Sequence, residues 1–230
     1  MRRRPFWIGP MTATVVVLSV VGCARPPAPA SSAASSPPAS RAPAINPANI
    51  KRVGRELPSG YEVTGDIRGA SPWVIWSLGA QAWAVPPQCA ALADPGYGQH
   101  QAAQGVSGSG AGGIVDAVVV ALSPGPVLLD HDLVASCGHW TMTDGHATAS
   151  VSLTDAPHID GAETLGMVAD VRKSVEAGAE IDSRAYTFVA YLGDYYALGA
   201  LTTDPGSMLA PLPPQFAADL LVKTVSTVRG

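Results

Sequence analysis

Between Arg68 and Arg172 the chain has no lysine and no arginine, although the same stretch holds nine acidic residues and all five histidines. Across the 230 residues, 14 basic side chains stand against 18 acidic ones, a formal net charge of −4. Nucleic-acid binders gain affinity by neutralising phosphates with clustered Lys and Arg, so this balance argues against nucleic acid as a partner. Cysteine is also scarce. With 3 residues of that type, a scaffold of several disulfides is excluded. Phenylalanine is as rare, at 3 residues, which leaves Trp and Tyr to supply most of the aromatic packing. Long apolar runs are missing too. The stretch from Met11 to Val21 is well short of the roughly 20 residues a membrane-spanning helix needs.

Glycine, by contrast, is abundant, and Gly108, Gly110 and Gly113 spell G-x-G-x-x-G within GVSGSGAGGIVDAVVV. That spacing cradles a nucleotide only when a buried strand enters it and a helix leaves it. Upstream lies DPGYGQHQAAQ, rich in turn formers. Downstream Ile114, Val115, Val118, Val119 and Val120 are β-branched and favour a strand. The run therefore reads as a flexible loop entering a strand, with no phosphate site. Ser107 is followed by Ser109 where a G-x-S-x-G nucleophile elbow needs glycine.

Arg2, Arg3 and Arg4 precede the Met11–Val21 run in the layout of a secretory signal. Val20-Val21-Gly22-Cys23 resembles the lipobox of bacterial lipoproteins, in which the cysteine is acylated and becomes the new N-terminus. Cys23 is the expected lipidation site, residues 1–22 the signal peptide, and the membrane a partner through the anchor. Loss of the three leading arginines would make the mature chain more acidic by three charges. Residues 23–44 are the lipidated Cys and a segment almost wholly Pro, Ala and Ser, which cannot build a core and reads as an extended tether of about 3 Å per residue.

Residues 45–230 then form a single domain, long enough to bury its own core. On the exported side Cys89 and Cys137 are expected to pair in a disulfide. Asn46-Pro47 starts a short helix bearing Ile50, Val53 and Leu57, and Pro86 to Leu92 reads as a second. Ile114 to Leu122 is a strand. Asp144-Gly145 between alternating segments marks a β-hairpin. Leu165–Val175, Tyr186–Leu192 and Tyr195–Thr203 are three further strands. After Pro213-Pro214, residues Phe216, Leu220, Leu221, Val225 and Val228 form the stripe of a terminal helix. The pattern predicts an α+β fold: an antiparallel β-sheet flanked by N- and C-terminal helices, with one disulfide.

The segments INPANIKRVGRELPSGYEV, PPQCAALADP, GVSGSGAGGIV and LPPQFAADLLVKTVSTVRG resemble a family of mycobacterial cell-envelope lipoproteins carrying a domain of unknown function. More distantly, the P-P-Q-C segment and the later Cys followed by Trp140 are similar to the extracellular sensor domain of PknH-type kinases. The resemblance implies an α+β domain with a cleft on the outer face of the cytoplasmic membrane or in the envelope.

Two sets of residues are candidates for function. His131, His139, His146 and His158 lie close in sequence to carboxylates, a pattern suited to sensing a fall in pH from about 7 to 5. The same side chains suit Zn²⁺ or Cu²⁺, but no two share a helix at four-residue spacing, so no metal and no cofactor is expected. Trp73, Trp76 and Trp83, with Tyr191 and Tyr195, are candidates to line a ligand cleft. Together these point to a non-catalytic binding or sensor-like module for an envelope lipid, glycan or protein. An envelope hydrolase and a structural protein-interaction module are the alternatives. A Ser or Asp hydrogen-bonded to a His in a pocket would favour the first, and a flat surface the second.

Overall fold

Asn46 caps the first element as its residue type dictates, its Oδ1 accepting a hydrogen bond from the Ala48 N–H at 3.1 Å while Pro47 takes the first helical position. The element, Pro47–Glu56, winds as a 3-10 helix, whose three-residue turn sets Ile50 and Val53 one above the other, both buried. The computed structural model of the chain describes residues 44–175, 178–203 and 208–230. The signal peptide, Cys23 and the tether expected from the sequence lie outside the described residues.

Along the chain follow β1 (Glu62–Thr64), α1 (Pro72–Ile75), β2 (Trp83–Val85), a 3-10 turn (Pro87–Cys89), α2 (Ala90–Ala93), β3 (His100–Gly110) and β4 (Gly113–Ser123). Then come α3 (His131–Ser136), β5 (His139–Thr143), β6 (Ala147–Thr154), β7 (Glu163–Ser174), β8 (Glu180–Tyr191), β9 (Tyr195–Thr202) and α4 (Pro214–Arg229). The nine strands form one sheet in the order β1-β3-β4-β9-β8-β7-β6-β5-β2, every neighbouring pair antiparallel. The chain is thus an α+β domain with an antiparallel sheet flanked by N- and C-terminal helices and one disulfide.

The glycine run does not form the expected loop. Gly105 to Gly110 are the last residues of β3, and only Ala111-Gly112 turn before β4 begins at Gly113. A methyl group at Gly110 would collide with the Tyr61 ring, which lies against this corner. Gly113 combines φ +125° with a backbone so close to the Thr202 carbonyl that no side chain fits. The spacing that imitates a nucleotide fingerprint therefore serves close packing of the first hairpin.

Strand alternation divides the interior into two cores. Val115, Ala117 and Val119 of β4, Phe188 and Ala190 of β8, and Ala197 and Leu201 of β9 face α4 and the opening helix, which contribute Leu220, Leu221, Val225, Ile50 and Val53. Val118 and Val120, Val189, Leu198, Met167 and Ala169 face the other way and are covered by α1, α2 and their loops. Strand β8 begins six residues before the predicted start at Tyr186. Its first half is charged, and two cross-strand ion pairs explain why it still pairs: Arg184 with Asp170, and Arg172 with Asp182 at 3.1 Å. Both lie on the solvent-exposed part of the sheet.

Tyr191 and Tyr196 are buried in the α1-side core, where desolvation raises both phenols well above their ordinary value of about 10, with Glu163 adding to the effect on Tyr191 and Asp94 to that on Tyr196. For groups raised in the folded state, the stabilising contribution is fully present below the unfolded value and is lost as pH rises toward the folded one. The contribution of these two phenols is therefore expected to be lost only above about pH 10. In a spectrophotometric titration, the phenolate absorbance of these two residues should emerge together with unfolding. Ionisation near pH 10 with the fold intact would show them to be solvated.

Candidate functional site

Helix α1 is too short to hold itself, and Trp76 fastens it to the sheet. The indole is 1 % exposed, and its Nε1–H donates to Thr187 Oγ1 at 2.9 Å over the middle of β8. Ser71, just before α1, donates from Oγ to Asp94 Oδ1 at 2.7 Å, which ties α1 to the end of α2. The Cys89–Cys137 disulfide, Cα atoms 5.7 Å apart, joins the turn before α2 to the end of α3.

These ties enclose a cleft of about 470 Å³ beside β2 at the edge of the sheet. Trp73 of α1, Trp83 of β2 and Tyr97 form its aromatic walls, Met142 is part of its floor, and five alanines leave room between them. Trp83 is 51 % and Tyr97 82 % exposed, unusually wet for rings of that size. Asp94 and Gln88 supply the side-chain polarity, and Asp94 is the one ionisable carboxylate in the lining among the described residues. A second hollow of about 260 Å³ adjoins it, sharing Ala91, Asp94 and Tyr97, with Leu128 and Tyr191 on its far side. Such a surface offers ring faces for stacking and a few hydrogen-bonding groups for orientation, and suits a neutral or cationic ligand with apolar faces.

Of the aromatic candidates, Trp73 and Trp83 line the cleft and Tyr191 the adjoining hollow. Trp76 belongs to the core, and Tyr195 packs on the α4 side of the sheet. Tyr97 and the alanines were not singled out from the sequence. Tyr97 sits in DPGYGQH, where the turn formers drew attention away from the ring.

All four histidine candidates are exposed and sit on different elements. His131 Nε2 meets Glu163 Oε1 at 2.6 Å, and His158 Nε2 meets Asp160 Oδ1 at 3.1 Å. His146 occupies the β5–β6 turn. His139 Nε2 lies 3.5 Å from Ser150 Oγ on the open face of the sheet, too long for a strong hydrogen bond. None of the four lines the aromatic cleft. Among the described residues no group of His, Cys, Asp and Glu is placed to hold a metal ion, and no helix is long and apolar enough to cross a membrane.

Residues 46–229 match the family model for a domain of unknown function, DUF5642, and the chain belongs to that family. A crystal structure of an uncharacterised protein from Mycobacterium smegmatis is similar over 81 % of this chain and 98 % of that one, at 20 % identity and a TM-score of 0.60, and has the same fold. The extracellular domain of PknH from Mycobacterium tuberculosis aligns over 79 % of this chain and 92 % of its own, at 14 % identity and a TM-score of 0.33. No curated protein matches the chain.

Proposed function

We propose that this chain is an exported, lipid-anchored binding module of the cell envelope, held by Cys23, whose ligand seats in the Trp73–Trp83–Tyr97 cleft. The observation that carries the reading is the concave aromatic surface itself: large rings left in solvent at the rim of a hollow floored by a buried core. A glycan or lipid fragment fits it better than a flat protein partner, because the walls present ring faces around a space of small-molecule size. The sequence before the domain supports the address, with a signal-like run, small residues ahead of Cys23 and a Pro/Ala/Ser-rich spacer.

Native mass spectrometry of the chain purified from its own envelope under mild conditions is expected to show a non-covalent adduct of lipid or glycan mass. Trp83→Ala and Tyr97→Ala should each weaken that adduct by about 2 kcal/mol, a roughly thirtyfold loss of affinity, with little change in melting temperature because both rings are exposed. A clean apo mass, or an adduct indifferent to both substitutions, would remove the cleft from the proposal.

A further inference from the structure

Arg68 and Lys173 are separated by more than a hundred residues, and the sole cation between them in sequence is Arg172, yet both line one cavity. It measures about 350 Å³ and lies on the same face of the sheet as the aromatic cleft, with which it shares no residue. Its walls come from the ends of five strands, β3, β4, β9, β8 and β7, and from the loops before and after α1. Ser77, Ser109 and Ser183 add hydroxyl groups, whereas Thr203 Oγ1 is engaged by the Arg184 backbone, donating to its carbonyl at 3.2 Å and accepting from its N–H at 3.0 Å.

Three features distinguish this cavity from an ordinary polar hollow. First, the Lys173 ammonium makes no ion pair or hydrogen bond with another described residue, while Arg172 beside it on β7 and Arg184 on β8 are paired to Asp170, Glu180 and Asp182. Second, Arg68 gives one of its five donors to Asp116, which is 1 % exposed beneath it, and the guanidinium side chain stays 30 % exposed toward the cavity. Third, Ser77 holds φ +67°, and among the described residues it is the one non-glycine residue in that region. A serine kept in a left-handed conformation costs of order 1 kcal/mol and is found chiefly where a site requires it. In the same wall Thr202 Oγ1 is buried without a hydrogen-bond partner among the described residues.

Asp116 balances Arg68, and Lys173 has no acidic partner among the described residues, so an anion entering the cavity meets positive charge that these residues do not neutralise. The donors also come from several directions, two cations and three serine hydroxyls, more than the two acceptor oxygens of a carboxylate use. We propose that this cavity is an anion site for a tetrahedral oxyanion of the phosphate class, with Lys173 and Arg68 as its charges and the hydroxyls of Ser77, Ser109 and Ser183 as its orienting donors. The cavity accommodates the phosphate of a lipid headgroup or of a small soluble ester equally well, and Ile114 and Ile181 at its wall give an attached carbon chain an apolar surface.

Titration of the full chain with inorganic phosphate and with glycerol phosphate, followed by calorimetry or amide chemical shifts, is expected to show saturable binding that perturbs Ser77 and Ser183. Lys173→Gln, an exposed position on β7 whose loss leaves the core intact, should lower that affinity at least fivefold while Trp83→Ala leaves it unchanged. Ser77→Gly should retain the fold, since glycine adopts φ +67° freely, and weaken binding by removing the hydroxyl donor. Cosedimentation with vesicles of phosphatidylglycerol or of phosphatidylcholine, comparing wild type with Lys173→Gln so that any anchor contributes equally, separates the sources. Lys173-dependent preference for the anionic vesicles identifies a headgroup, and binding of the soluble esters without that preference identifies a free ester. Absence of saturable phosphate binding, or binding that Lys173→Gln leaves unaltered, would overturn the proposal.

Discussion

Trp76→Ala is expected to cost about 3–5 kcal/mol of folding stability, a large share of what a domain of this kind has in total. The indole is buried against the middle of the sheet, and its removal takes away both its packing volume and the donor that satisfies Thr187 Oγ1, itself fully buried. Trp76→Phe keeps most of the ring but not the N–H, so it should fall between the two, about 1–3 kcal/mol below wild type. Trp83→Ala, by comparison, should stay within about 0.5 kcal/mol. Denaturant midpoints for the three variants test the assignment directly. If Trp76→Ala lost less than Trp83→Ala, α1 would be held by something other than its indole, and the wall of the aromatic cleft would have a different origin.

The disulfide carries the second large effect. Cys89 and Cys137 are 48 residues apart in sequence, and closing a loop of that length in the unfolded chain is worth about 4 kcal/mol by the chain-entropy account. The double substitution to alanine, or reduction, is expected to lower the melting temperature by roughly 8–16 °C for a domain of this size. The consequence is local as well as global. The bond joins the 3-10 turn before α2 to the end of α3, and α2 forms part of both the aromatic cleft and the adjoining hollow. Ligand affinity measured well below the melting temperature should therefore fall in the reduced protein even while the sheet remains folded. A melting temperature indifferent to reductant would show that the sheet alone holds these elements together.

Much of the architecture follows from residue types that advertise it. The β-branched run of β4, the Asp-Gly turn between β5 and β6 and the five-residue stripe of α4 each carry a local signal strong enough to read directly. What local pattern could not show is structure imposed by neighbours. Strand β3, HQAAQGVSGSG, has one β-branched residue, and it is a strand because β4 offers it an unbroken antiparallel partner and Leu57 and Tyr61 pack on its glycines. The first half of β8 pairs through ion pairs whose partners lie on another strand. The candidate sites divide in the same manner. Two tryptophans of the cleft are legible because Trp73, Trp76 and Trp83 cluster in one short stretch of a chain poor in Phe, whereas an alanine that lines a hollow is the same letter as an alanine in a core. The depletion of cations between Arg68 and Arg172 was plain, but its counterpart, the meeting of Arg68 with Lys173, depends on strand order and on the loop leading into α1.

The backbone N–H of Asn46 donates to the carbonyl of Val228 at 2.8 Å, so the domain begins and ends at one point. Since α4 and the opening helix cover one side of the sheet and both cavities open on the other, that point lies behind the face that carries the cavities. The domain is thus wired like a plug with both leads at the back. It can be grafted, fused or fixed to a sensor chip through Gly230 with its two cavities turned outward, and a pull applied at Asn46 falls on the last turn of α4 rather than on either cavity.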